Sequence, residues 1–275
     1  MTVIELIETT SKYFAKHEVQ SPRLTMELML AEVMQKTRMQ LYLEYDQQIE
    51  EPVLDHLRPL VKRRAEGEPL EYLLGVTTFA GHRVQVTPDV LIPRPETEIL
   101  FQEACKLIED EGLPVLDVGT GSGILALALA KKFPKLDIVG VDISSTALAQ
   151  ARRNTEGISN IRLLESDLMG NPSLPERFQM IVANLPYIPT GQIDGLMREV
   201  RHEPRLALDG GPDGLDLIRR LISQSAGRTR FLALEFGDGQ AEEAKTLCER
   251  AGYALIRVLP DFTERERILV AEHHG

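Results

Sequence analysis

The chain has 275 residues, with 31 Lys and Arg against 42 Asp and Glu for a formal net charge of −11 at pH 7; 43% of residues are hydrophobic and 27% charged. This length and composition suit one large globular domain or two smaller ones and exclude a disordered or collagen-like chain. The acidic balance, with no basic arm at either end, argues against a protein whose main work is neutralising nucleic-acid phosphates.

The two cysteines, Cys105 and Cys248, have no Cys or His neighbour at metal-ligand spacing and read as reduced structural thiols. The six histidines (His17, His56, His82, His202, His273 and His274) are scattered in the same way, so no metal is expected. The first eight residues carry acids where a signal peptide needs positive charge, and no apolar run approaches the roughly 20 residues of a membrane span. A cytoplasmic protein is expected.

Apolar residues at helical spacing (Val3, Ile4 and Ile7, then Leu24, Leu28 and Val33, then Val53, Leu57, Leu60 and Val61) predict a small helical bundle over 2–67. Ser21-Pro22 opens its second helix as a capping residue followed by proline. The segment holds no convergent catalytic side chains and reads as a packing or substrate-docking module. Short β-type runs at Thr77, Phe79, Val84 and Val86, broken by Ala80-Gly81-His82 and Pro88, predict a hairpin connector. Leu91-Ile92-Pro93-Arg94-Pro95-Glu96-Thr97-Glu98 then leads stiffly into a helix over 96–109.

From residue 113 the pattern alternates. Strands are predicted at 115–118, 137–141, 161–164 and 180–183, with helices at 123–133 and 145–153, and this alternation favours a parallel sheet. A helix near 215–225, a strand at 230–236 and a helix at 240–251 follow. Strands near 254–259 and 267–271 have no helix between them, so a terminal antiparallel hairpin closes the sheet.

Chemistry concentrates at the strand ends. In Leu116-Asp117-Val118-Gly119-Thr120-Gly121-Ser122-Gly123-Ile124 a strand turns through three glycines into a helix, where the backbone can approach a ligand closely and free N–H groups await it. The Gly-x-Gly-x-Gly spacing differs from the dinucleotide fingerprint and disfavours a nicotinamide oxidoreductase. Asp142 ends the next strand, where an acid accepts two ribose hydroxyls. Asp167, after the third strand, is placed to accept an adenine amino proton, with Leu168 packing on the ring. These three strand ends describe an S-adenosylmethionine pocket.

The fourth strand ends in Ala183-Asn184-Leu185-Pro186-Tyr187-Ile188-Pro189. Pro186 forces Leu185 into an extended conformation that aims its carbonyl. The Asn184 side-chain oxygen and that carbonyl can each accept one N–H of a planar NH2 group, and Tyr187 can stack on the plane. Such a slot suits methylation of an amide or an exocyclic amine, because it favours the tetrahedral, positive nitrogen of the transition state. Asp209-Gly210-Gly211-Pro212-Asp213-Gly214 reads as a turn into a helix and a candidate lid edge, and Glu235-Phe236-Gly237 as a strand end with either a structural or a substrate-side role.

Together these residues resemble the bacterial release-factor glutamine methyltransferase family over nearly the whole chain. The resemblance rests on Arg63-Arg64-Ala65-Glu66-Gly67-Glu68-Pro69-Leu70, on Leu74-Gly75, on 91–98, 117–123 and 184–187, on Glu203-Pro204 and Ala207-Leu208, on 210–215 and on Leu234-Glu235. It implies a class I S-adenosylmethionine-dependent methyltransferase, with a Rossmann-like seven-stranded sheet. It also implies a helical bundle at 1–70, a hairpin at 71–92 and a catalytic domain at 93–275. The implied substrate is the glutamine of the Gly-Gly-Gln motif in class 1 peptide chain release factors. Asp117, Gly119, Thr120, Gly121, Ser122, Gly123, Asp142, Asp167, Leu168 and Asn184 would hold the cofactor; Asn184, Leu185, Pro186 and Tyr187 would hold the glutamine, with Asn184, Pro186 and Tyr187 catalytic.

Arg94 and Thr97 are candidates for the methionine end of the cofactor, although Arg94 can equally pair with a surface acid. The family usually has proline where this chain has Leu185. Asn-Leu-Pro-Tyr also resembles the motif of ribosomal RNA adenine dimethyltransferases, so an adenine-N6 enzyme on RNA or DNA and a glutamine methyltransferase of a ribosomal protein stay open, as does a cofactor-binding protein that has lost catalysis. A monomer is expected, without membrane or direct nucleic-acid contact.

Overall fold

The computed structural model describes residues 1–109 and 111–273. The chain divides into two compact units, residues 1–76 with 197–202, and residues 77–196 with 203–275. The first is helical: α1 (Val3–Lys16), α2 (Pro22–Val33), α3 (Arg38–Leu43), α4 (Glu51–Ala65) and α5 (Leu70–Leu74). Val3, Ile7, Phe14, Met26, Met29, Leu30, Leu41 and Leu57 form its core. Capping boxes start α1 (Thr2 with Glu5) and α3 (Thr37 with Gln40), each satisfying two otherwise orphaned N–H groups.

Ser21 does not cap α2 as expected. It stands at the N-cap with a left-handed φ of 44° and no side-chain bond to the helix, contributing only its carbonyl, which accepts the Thr25 N–H at 2.9 Å. Residues 197–202 belong to this unit through the Glu199 carboxylate, which pairs with buried Arg64 at 2.7 Å. Arg198 lies over Gly67, where a Cβ would come within 2.5 Å of its Nε.

The larger unit opens with the hairpin β1 (Val76–Phe79) and β2 (His82–Gln85), followed by α6 (Pro95–Cys105). The helix stops four residues earlier than its pattern suggests. There the chain turns to bury Ile108 and to give the Glu109 N–H to the Gln179 side chain. Then come β3 (Val115–Val118), α7 (Ile124–Lys132), β4 (Ile138–Asp142), α8 (Ser145–Asn154), β5 (Ile161–Glu165), β6 (Phe178–Ala183), α9 (Asp216–Ser225), β7 (Thr229–Glu235), α10 (Ala241–Arg250), β8 (Tyr253–Pro260) and β9 (Glu266–His273).

These seven later strands form one sheet in the order β5-β4-β3-β6-β7-β9-β8, parallel except for β9, which is antiparallel to both neighbours. Alternate residues face opposite layers. Leu116, Val118, Ile181, Ala183, Leu232 and Leu234 pack with α9 and α10, whereas Val115, Met180, Val182, Phe231 and Ala233 pack with α6 and α7. The order reverses between β3 and β6, and at such a switch point the carboxyl ends of the strands leave a crevice for a ligand. Between β6 and α9 the chain runs through three short 3-10 turns (Thr190–Gly195, Val200–His202 and Arg205–Ala207).

Gly123 caps α7 with φ 78°, and a Cβ there would stand 2.9 Å from the Ala151 Cβ and 3.0 Å from its Cα. Both the dihedral and the contact reject a side chain. Gly123→Ala is expected to cost about 1–3 kcal/mol and to lower the melting temperature by several degrees in a thermal denaturation scan.

Candidate active site

A cleft of about 410 Å³ opens at the carboxyl ends of β3, β4, β5 and β6, a volume in the ordinary range for a small-molecule site. Its floor is backbone. Gly119 and Thr120 both donate their N–H to the Val141 carbonyl, at 2.8 and 2.9 Å, which folds the glycine loop over the end of β4. Gly119, Thr120, Gly121 and Ser122 line the cleft, but Gly123 does not, so its glycine answers to helix packing rather than to a ligand.

The Asp142 carboxylate accepts the backbone N–H groups of Gly121 and Ser144 on different oxygens, both at 2.9 Å, and the Ile143 N–H also faces it. A carboxylate oxygen has a second lone pair, so both remain able to accept vicinal hydroxyls. Burial pushes this carboxyl above its usual range. Asp117 lies deeper and accepts the Thr120 hydroxyl at 2.6 Å. Desolvation pushes it up to about 7, and the neighbouring Asp142 charge acts in the same direction, against the Thr120 hydroxyl and the Ala126 N–H.

At the far end, Asp167 and Leu168 both line the cleft. Leu168 holds a left-handed φ of 50°, secured by Ser166, whose hydroxyl donates to the Leu168 carbonyl and accepts the Asn171 N–H. A strained non-glycine residue in a cleft wall is a pointer to function. Asp167 pairs with Arg220 at 2.6 Å, a cleft residue that the sequence pattern did not single out.

The Asn184 motif stands on the opposite wall. Asn184, Leu185 and Pro186 line the cleft. The Asn184 Nδ2 donates to the Thr97 hydroxyl at 2.9 Å, and Thr97 donates in turn to Glu235 Oε2 at 2.8 Å. Tyr187 is not a cleft-lining residue. Its hydroxyl donates to Glu235 Oε1 at 3.0 Å, and its ring packs against the core. Glu235 is 1% exposed, and its burial pushes the carboxyl up to about 7. The 209–214 turn backs the motif: Ile188 accepts the Gly210 N–H, and Cβ atoms at Gly210 and Gly214 would collide with the Pro186 and Tyr187 carbonyl oxygens, at 2.7 and 2.2 Å.

Thr97 reaches the cleft from α6, but Arg94 pairs with buried Glu203, whose other oxygen accepts the Ile92 N–H at 3.0 Å. This acid is a buried one, neither Glu96 nor Glu98 nor a surface carboxylate. Glu203 thereby anchors the proline-rich connector, a role that its place beside Pro204 in sequence does not reveal. Residues 88–91 and the half-exposed apolar side chains Ile143 and Leu206 also line the cleft. Ile143 was findable as an apolar residue directly after the Asp142 strand end. His274 lies outside the described residues. Among the described residues no group of three His, Cys, Asp or Glu is placed to hold a metal ion, and no helix is long and apolar enough to cross a membrane.

A seven-stranded sheet with this strand order, a glycine loop after its first strand and an acid at the end of the next define the class I methyltransferase fold. The family model described as "Methyltransferase domain" matches residues 115–203, and "PrmC N-terminal domain" matches residues 5–75. Curated release factor glutamine methyltransferases align along almost the whole length: that of Geobacter sulfurreducens is 40% identical, covering 92% of this chain and 90% of its own, and that of Rhodopirellula baltica is 41% identical, covering 98% and 95%. The chain belongs to the release factor glutamine methyltransferase family.

Solved structures repeat the fold at lower identity. The E. cuniculi Mtq2-Trm112 complex, responsible for methylation of the eRF1 translation termination factor, is 23% identical with a TM-score of 0.51, covering 68% of this chain and 99% of its own. The hMettl16 catalytic domain in complex with the MAT2A 3'UTR hairpin 6 is 13% identical with a TM-score of 0.58, covering 82% and 83%. Those likenesses concern architecture alone.

The raised Asp117 value carries a stability consequence. Its folded-state value of about 7 lies above the unfolded one, so the stability it contributes is present at low pH and is lost as pH rises through about 7. Asp117→Asn keeps an oxygen for the Thr120 hydroxyl. Its advantage in melting temperature over the parent is expected to be absent near pH 4, to grow with pH, and to level off above about pH 7. Melting curves across that range test it, and a pH-independent difference would show that Asp117 ionises normally.

Proposed function

We propose that this protein transfers a methyl group from S-adenosylmethionine to the side-chain amide nitrogen of the glutamine in the Gly-Gly-Gln motif of class 1 peptide chain release factors. The observation that carries this reading is the fixed Asn184 amide in the cleft wall: its Nδ2 is committed to Thr97, which leaves its oxygen free to accept an N–H of a target NH2. Family membership supplies the substrate class.

The donor set of the cleft fits the cofactor. Asp142 keeps two lone pairs for a ribose diol, Ile143 and Leu168 offer apolar faces for a planar base, and the backbone from Gly119 to Ser122 lies close enough for direct contact. When bound, S-adenosylmethionine supplies an electrophilic methyl group on a sulfonium sulfur. The chain's own part is positional and electrostatic. The Asn184 oxygen and the Leu185 carbonyl each accept one N–H of the target amide, which turns its nitrogen lone pair toward the cofactor and favours the nitrogen as it becomes tetrahedral and positive. Pro186 keeps the Leu185 carbonyl aimed. Tyr187 acts from beneath, holding the motif through Glu235. No covalent enzyme intermediate is needed. The net charge of −11 agrees with a peptide loop as substrate, since no phosphate backbone has to be neutralised.

Transfer of labelled methyl to a purified class 1 release factor tests the reading, beside a copy whose Gly-Gly-Gln glutamine is alanine and a bare adenine-rich RNA. Label is expected on the intact factor alone, whereas label on the RNA would make the Asn184 motif an adenine slot. Two substitutions separate the halves of the cleft. Asn184→Ala is expected to lower kcat by about a hundredfold or more, a larger loss than it causes in cofactor binding, and Asp142→Ala to weaken cofactor binding by about tenfold or more. An Asn184→Ala enzyme with full turnover removes the mechanism.

A further inference from the structure

We propose that Glu235 and Thr97 are positioning residues that decide which end of the Asn184 side-chain amide faces the cleft, by fixing the direction of the Thr97 hydroxyl proton. The proposal rests on the reading of Asn184 as acceptor for the target NH2.

An asparagine amide has an acceptor oxygen and a donor NH2 of nearly equal size, so packing alone cannot choose between its two flipped orientations. Hydrogen bonding can. The Thr97 hydroxyl has one proton, and Glu235 Oε2 accepts it at 2.8 Å. Toward Asn184 the Thr97 oxygen can therefore only accept, so Asn184 presents Nδ2, at 2.9 Å, and its oxygen turns the other way. A carboxylate is required for this, because an ionised Glu only accepts. Its second oxygen takes the Tyr187 hydroxyl at 3.0 Å, so one carboxylate orients the residues on either side of the slot. Thr97 is 5% exposed and Glu235 1%, so both bonds are largely shielded from bulk water.

Protonating Glu235 reverses the logic. Its new O–H must donate, and when it donates to Thr97, the Thr97 proton swings to Asn184 and draws the amide oxygen toward itself. The Asn184 NH2 then faces the target NH2, donor against donor. The groups facing this carboxyl are Thr97 and Glu96 of α6, Tyr187 beyond β6 and Arg267 of β9; burial and Glu96 raise its value, while the two hydroxyls and Arg267 lower it, leaving it at about 7. Turnover is thus expected to fall as pH drops through about 7.

The test compares the parent with Thr97→Val, Thr97→Ser and Glu235→Gln in methyl transfer to a purified class 1 release factor, at saturating cofactor so that Asp117 and Asp142 do not enter the pH profile. Thr97→Val keeps the shape and loses the hydroxyl. Its kcat is expected to fall about tenfold or more with cofactor Kd within about threefold, and Thr97→Ser to recover most of the loss. Glu235→Gln is expected to give a kcat that no longer changes with pH near 7. A Thr97→Val enzyme with parental kcat and pH profile overturns the proposal, and so does a Thr97→Ser enzyme as impaired as Thr97→Val, since packing rather than the proton would then matter.

A second readout needs no substrate. In 15N-labelled protein the Asn184 side-chain NH2 resonance, assigned by its loss in Asn184→Asp, is expected to shift with pH through about 7 in the parent and to stay in place in Thr97→Val. A parent resonance that ignores pH overturns the relay. If the resonance moves while no release factor is methylated, the relay stands and the substrate reading falls.

Discussion

A buried carboxylate with few partners is among the costliest groups a fold can hold, and Glu235 is one, at the end of a central strand. What makes it tolerable is that two hydroxyls converge on it, Thr97 from α6 and Tyr187 from the turn after β6. The topology provides both. The strand order sets β6 beside β7, which brings the residues after Ala183 next to the last residue of β7, and α6 packs across β7 from the opposite layer. The Asn184 motif is therefore held by hydrogen bonds that originate in neighbouring elements, and a loop that would otherwise be free is tied to the sheet.

The other half of the cleft is built on a different principle. There the backbone supplies most of the geometry: two N–H groups on one carbonyl fold the glycine loop, two more clamp Asp142, and Ser166 keeps Leu168 in a strained conformation. Side chains add little beyond acceptors and apolar faces. A site that must take the same cofactor at every turnover gains from such rigidity, because little has to be ordered on binding. The Asn184 half is tied instead by a chain of side-chain hydrogen bonds, from Asn184 to Thr97 to Glu235, that crosses between elements.

Most of the sheet was legible because its strands are short apolar runs ending in Gly, Asp or Asn, and the terminal hairpin was legible because no helix separates its strands. Boundaries moved where tertiary contacts outweighed local pattern. Thus α6 ends at Cys105 so that Ile108 can join the core, and Ser21 takes a left-handed conformation that leaves its side chain out of the cap. Residues 184–215 gave no periodic signal, since short 3-10 turns have none to give. The cleft acids and the glycine loop were readable from position on strand ends. The partners of Arg94 and Thr97 were not: Glu203 lies 109 residues from Arg94, and Glu235 lies 138 from Thr97, distances over which only the fold decides who meets whom. Tyr187 illustrates the same limit. Its ring reads from sequence as a stacking platform, but the carboxylate that takes its hydroxyl lies on another strand, 48 residues on, and no local pattern points to it.

Leu185, the departure from the family's usual proline, can be understood in these terms. A proline would lock its own φ through its ring. Leucine cannot, yet Leu185 is 4% exposed, and its Cδ2 reaches into the space that a Cβ on Gly119 would need, 3.0 Å away. The missing side chain at Gly119 therefore serves two purposes, admitting the left-handed turn of the glycine loop and making room for Leu185 beside it. Packing does the work that ring closure would have done, and it does so by seating the Asn184 motif directly on the glycine loop. The two halves of the cleft are coupled there through van der Waals contact, in addition to their shared strand ends. A residue larger than glycine at 119 would disturb both halves at once.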